Sequence, residues 1–135
     1  MKNIDFMESK LLGFDIDDPG KAAIFRLRLQ NTKRINISIN GIERLLITEI
    51  RDQNVIENIF FWPENEDVQL LRESAFWLFG NSSEECCLEK IKPFVENSID
   101  RVKSGDLIIM NVTAIYGAQV LAAFLSMDIK EVPIN

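Results

Sequence analysis

The chain is expected to fold as one α+β domain, residues 1–135: an antiparallel β-meander of four to six strands with two or three helices packed on one face. Three observations lead there. Residues 24–30 and 35–40 alternate strictly, with Phe25, Leu27 and Leu29 against Arg26, Arg28 and Gln30, then Ile35, Ile37 and Ile39 against Asn36, Ser38 and Asn40. Period-two alternation of this kind marks antiparallel strands with one buried face. Beyond Trp62-Pro63 the apolar spacing switches to every third or fourth residue, the repeat of a helix. The chain has 135 residues, 47% hydrophobic and 27% charged, enough to build the core of a single domain.

The elements follow in order. "SKLLGFDID" reads as a first, half-exposed edge strand, with Asp15 and Asp17 on one face and Phe14 and Ile16 on the other. "QNTK" turns the chain between the two alternating strands, and Asn40-Gly41 is the strongest short turn signal present. It leads into "RLLITEI" (44–50), the polar turn "DQN", and "VIENIFFW", expected as a strand over 55–61. A helix is expected in "NEDVQLLRESAFWLFG": Asn65 can cap it, acids crowd its first turn, and Gly80 can end it. A second helix is expected over 84–104, capped by Ser83, with Cys87 or Leu88, Ile91, Val95, Ile99 and Val102 on one stripe. Pro93 should kink it or split it into two abutting helices, and Gly105 ends it. "DLIIMNVT" is apolar enough for a strand buried on both faces. The segment 118–127 is open between helix and strand; a short helix after Gly117 and a final strand at 128–132 are expected.

Composition narrows the function classes. No apolar run approaches the roughly 20 residues that span a bilayer, and "MKNIDFMESK" lacks the apolar stretch of a secretory leader, so a cytoplasmic protein is expected. Cys86 and Cys87 are the only cysteines; as neighbours they are expected to stay unbridged and metal-free, which fits a reducing compartment. The glycosylation-type triplets at Asn36, Asn81 and Asn111 then carry no meaning. With no histidine, Ser-His-Asp and Cys-His mechanisms are excluded, and no phosphate-binding glycine motif occurs. A non-enzyme with no cofactor and no metal is expected. Net charge is −6, unevenly spread: residues 19–42 hold five cations and no acid, leaving 10 basic against 21 acidic residues elsewhere, a balance of −11. Such a chain does not present the basic stripe that nucleic acid requires.

The stretch "GFDIDDPG" brings Asp15, Asp17 and Asp18 beside a Pro-Gly turn. It resembles superficially the paired aspartates of aspartate-based phosphatases, but those follow a buried strand of a parallel sheet. Here the stretch precedes an antiparallel meander, so the aspartates are read as a solvated strand end. Arg26 and Arg28, flanked by Asn36, Ser38 and Asn40, read as a solvated sheet face, with Glu43 and Glu49 as cross-strand partners; an anion site is the sharper alternative. Tyr116, Trp62 and Trp77 read as core or rim aromatics.

Taken whole, with "GIERLLITEIRDQNVIENIFFW" as a strand pair joined by a polar turn and "NVTAIYGAQVLAAF" following, the chain resembles bacterial immunity proteins of polymorphic toxin and contact-dependent inhibition systems. The resemblance implies a cytosolic module that binds and neutralises a cognate, cationic toxin, with net negative charge speeding the encounter. The partner contacts expected are the acidic clusters Asp15, Asp17, Asp18 and Glu64, Glu66, Asp67, with Trp62 as an aromatic anchor. A non-catalytic small-ligand or scaffold domain, compatible with a homodimer, is the alternative.

Overall fold

Strand chemistry dominates the computed structural model, which describes residues 4–80 and 88–133. Its elements run β1 (Lys10–Ile16), β2 (Ala22–Arg28), β3 (Arg34–Asn40), β4 (Arg44–Thr48), β5 (Val55–Trp62), α1 (Val68–Gly80), α2 (Leu88–Ser104), β6 (Ile108–Tyr116), β7 (Gln119–Phe124) and β8 (Ser126–Val132). All eight strands join one antiparallel sheet in the order β4-β7-β6-β5-β1-β2-β3-β8. The α+β class is as the sequence predicts. The strand number exceeds the expected four to six.

The meander is real only from β1 to β3. There β2 and β3 pair in full register from Ala22/Asn40 to Arg28/Arg34, closed by a turn in which the Leu29 N–H donates to Lys33 O at 2.8 Å. After β3 the expected hairpins fail. Asn40-Gly41 is a corner, not a hairpin turn: Gly41 takes φ 70° and the side chain of Leu125 lies over it, 2.8 Å from where a Cβ would sit. The chain bends and continues as β4, which pairs with β7 and not with β5. On the facing strand, β7 passes through Leu125 directly into β8, which pairs with β3. The ladder therefore crosses the corner unbroken: the Leu125 N–H donates to Asn40 O at 3.0 Å and the Glu43 N–H to Ala123 O at 2.8 Å. Strands that bend from one sheet direction to another make corners of this kind.

These two bent strands coil the sheet. In a flat sheet β7 and β3, five strand spacings apart in this order, would lie about 24 Å apart. Instead Val120 of β7 and Ile37 of β3 line one enclosed void of only ≈ 10 Å³, together with Leu11, Phe25, Ile56 and Met110. The inner face is a packed core, and it continues through Leu27, Ile39, Ile59 and Phe124.

The helices build a second core on the outer face of β4, β7, β6 and the end of β5. Leu71, Ala75 and Leu78 of α1 and Val95, Ile99 and Val102 of α2 pack there on Trp62, Ile109 and Ala123. β6 is thus covered on both sides around Ile109 and Met110, as its continuous apolar run predicts, while its far end at Ile115 and Tyr116 is exposed. β7 is covered on both sides too, and this overturns the short helix expected after Gly117. "QVLAAF" reads ambiguously because a doubly covered strand loses its period-two signature. α2 runs through Pro93 as one helix and is not split into two abutting ones. Cys86, Cys87 and the Ser83 cap lie outside the described residues.

Candidate functional site

The acidic clusters come apart once each carboxylate is placed. Asp15 pairs with Arg26 across β1 and β2. Asp17 closes the β1–β2 turn, its Oδ1 accepting the Ala22 N–H at 2.8 Å. Asp67 caps α1, where its Oδ1 accepts the Leu70 N–H at 3.0 Å; Asn65, the expected cap, accepts the Asp67 N–H at 2.7 Å instead. These three are local structural groups. Asp18, Glu64 and Glu66 are exposed and have no hydrogen-bond or ion-pair partner among the described residues.

Trp62 takes the core place that the sequence reading gave it as one of its two roles, and not that of an accessible anchor. It is 1% exposed, sits in the helix-side core, and donates its indole N–H to Asp67 O at 3.0 Å. A partner cannot reach it as an anchor in this structure. The exposed tryptophan is Trp77, at 61%, against its expected place in core or rim. Tyr116 is also half-exposed, with the Arg51 guanidinium 5.3 Å from its ring centre.

The arginine face is partnered differently from the sequence expectation. Arg26 takes Asp15, and Glu49 takes Arg51 at 3.4 Å. Glu43, in the corner between β3 and β4, binds Arg101 near the end of α2 through two parallel bonds of 2.6 and 2.7 Å. The Arg101 hydrogen bond holds the Glu43 carboxyl below its usual range, against the opposing effect of burial. Nothing local signals this pair, whose members lie 58 residues apart.

Two concave surfaces are larger than the shallow hollow of ≈ 300 Å³ between β1 and the β4–β5 turn. A groove of ≈ 440 Å³ between α1 and the outer sheet face is edged by Trp77 and Glu73, with Asn111 and Gln119 opposite. Asn111 is held there, its Nδ2 donating to Ser74 Oγ at 2.9 Å. The larger cleft, ≈ 1090 Å³, runs along β8 and the β2–β3 turn. Ile4, Leu29, Ile35, Met127 and Ile129 give it an apolar floor, and Asp5, Asp128 and Glu131 stand at its rim against Lys33. The sequence reading missed this cleft, although "SMDIKEV" carries the alternation that makes Met127 and Ile129 face inward.

Among the described residues no group of three or more acids or cysteines is placed to hold a metal ion. No described helix is long and apolar enough to cross a membrane. No family model, curated protein or solved structure matches the chain.

Proposed function

We propose that this chain is a protein-binding module that captures and neutralises a cationic toxin domain, in the manner of bacterial immunity proteins, acting in the cytoplasm and without catalysis. The observation that supports it is the β8 cleft. An apolar floor ringed by three carboxylates and one ammonium suits a protein surface with an exposed apolar side chain flanked by lysine or arginine. Asp18, Glu64 and Glu66 extend the negative field beyond it and would raise the encounter rate. The test is co-expression with the product of the neighbouring upstream gene, followed by co-purification. Rescue of growth with a one-to-one complex is expected. A product that is harmless, or that stays toxic and unbound in the presence of this protein, overturns the reading.

The same cleft also favours a second reading, a small apolar ligand, because its volume is close to the upper limit of small-molecule sites. The packed interior offers no room for one, so a ligand would have to lie at this open surface. A fatty acid or detergent that protects Met127 and Ile129 at stoichiometric amounts, with no protein partner recovered, favours this alternative.

A further inference from the structure

β8 ends the sheet. Among the described residues it pairs with β3 along one side and with no strand along the other, so its outer edge offers main-chain donors and acceptors to a strand from elsewhere. We infer that this edge is the surface through which two copies of the chain pair, β8 against β8, around a two-fold axis at Ile129.

The register follows from face and charge. Residues directly opposite in an antiparallel pair share a face, and along β8 Met127 and Ile129 lie half-buried while Asp128 and Lys130 are exposed. A two-fold axis midway between two residues would set inner residues against outer ones, so it must pass through a residue. An axis at Asp128 would oppose aspartate to aspartate. One at Lys130 would oppose lysine to lysine, and one at Glu131 glutamate to glutamate; each is unfavourable. An axis at Met127 opposes no charges. An axis at Ile129 overlaps all seven residues of the strand, Ser126 to Val132. It sets Ile129 on its symmetry mate and each Asp128 opposite the Lys130 of the other copy, giving two complementary cross-strand pairs. Within one copy the two side chains already meet, Lys130 Nζ lying 3.5 Å from Asp128 Oδ2. The edge is charged against pairing with strange strands but complementary to itself.

One strand pair buries little surface, so the association is weak and depends on concentration. This inference does not rest on the toxin reading and needs no partner to test. Analytical ultracentrifugation of the full chain, from about 10 µM to about 1 mM, spans the range of weak interfaces of this size. The sedimentation coefficient of the unmodified protein is expected to rise with concentration. D128K sets lysine against Lys130 at both pairs and should weaken dimerisation by about tenfold or more. D128K/K130D restores the opposite signs and should return the constant to within about threefold. Both side chains are largely exposed, so the variants are expected to fold, and melting curves check it. Hydrogen exchange over residues 126–132 should slow as concentration rises. A monomer throughout, a dimer insensitive to D128K, failure of the double variant to restore it, or unchanged β8 exchange would each overturn the inference.

Discussion

Two halves of one sheet are built to different rules. In the half formed by β7, the start of β6 and the end of β5, the coiled core covers the inner face and the helices cover the outer one. Ile109 and Met110 are adjacent and fully buried, as are Ala122, Ala123 and Phe124 in a row. In the half formed by β2, β3 and β8, only the inner face is covered. β3 alternates without exception: Ile35, Ile37 and Ile39 are buried, Asn36 and Ser38 between them are partly exposed, and Arg34 and Asn40 at its ends are exposed. The backbone ladder is the same in both. The layer on the outside decides the side chains, and with them where stability is held and where a partner can dock.

The difference is sharpest between the two tryptophans. Trp62 is buried in the helix-side core, whereas Trp77 is exposed at the edge of the α1 groove. Trp62→Ala empties a packed position and forfeits an indole hydrogen bond, so it should cost about 3–5 kcal/mol in urea unfolding. Trp77→Ala should stay within about 0.5 kcal/mol, as surface changes do. Comparable losses at the two sites would break the two-layer account. A binding defect confined to Trp77→Ala would move the candidate docking surface to the α1 groove.

The same contrast explains what the sequence revealed. β2 and β3 were legible because water on one side imposes alternation: "IFRLRL" and "RINISI" can be little else. β7 was not, because "VLAAF" between two apolar layers has no polar phase, and alanine and leucine also favour helices. The Asn40-Gly41 signal was sound as a local fact, since the chain does turn there with Gly41 in the left-handed region. What it could not convey is whether the strand folds back or rounds a corner. That depends on Leu125, more than eighty residues later, packing over the glycine. The candidate site was less legible still. Carboxylates near a turn look alike in sequence, whether they cap, pair or stand free, and only the placed N–H groups distinguish Asp17 and Asp67 from Asp18 and Glu64.

Asp67 belongs to the covered half, where its carboxylate starts α1 and its carbonyl holds the Trp62 indole. Asp67→Ala should lose about 1 kcal/mol, the usual value of an N-cap, read as a lower urea midpoint at unchanged slope. Asp67→Asn keeps an acceptor and should recover most of it.

Glu43 and Arg101 tie the corner of the singly covered half to the last turn of α2. Both side chains are about one-third exposed, so the pair contributes no more than about 1 kcal/mol. Because the folded Glu43 carboxyl titrates below its ordinary value of 4.5, its contribution is fully present above that pH. It is lost as pH falls through the folded value. Glu43→Gln should therefore lower stability at pH 7 and converge with the unmodified protein at low pH. A deficit that persists unchanged into acid would mean that the pair acts by packing alone.

The smallest expected effect on stability is the one most informative about function. Asp18, Glu64 and Glu66 are exposed, with no partner among the described residues, so replacing all three by their amides should change unfolding by no more than about 0.5 kcal/mol. If the chain captures a cationic partner by steering, the same triple variant should slow association severalfold at low salt. Dissociation should barely change, and the difference should shrink as salt rises and the Debye length falls to about 8 Å at physiological strength. Asp15, Asp17 and Asp67 serve as the contrast, since their carboxylates are already engaged within the fold, in an ion pair, a turn and a cap. Stopped-flow binding to the purified upstream-gene product separates the two sets. An unchanged association rate in the triple variant would confine recognition to the β8 cleft, where Asp5, Asp128 and Glu131 would be the next carboxylates to replace.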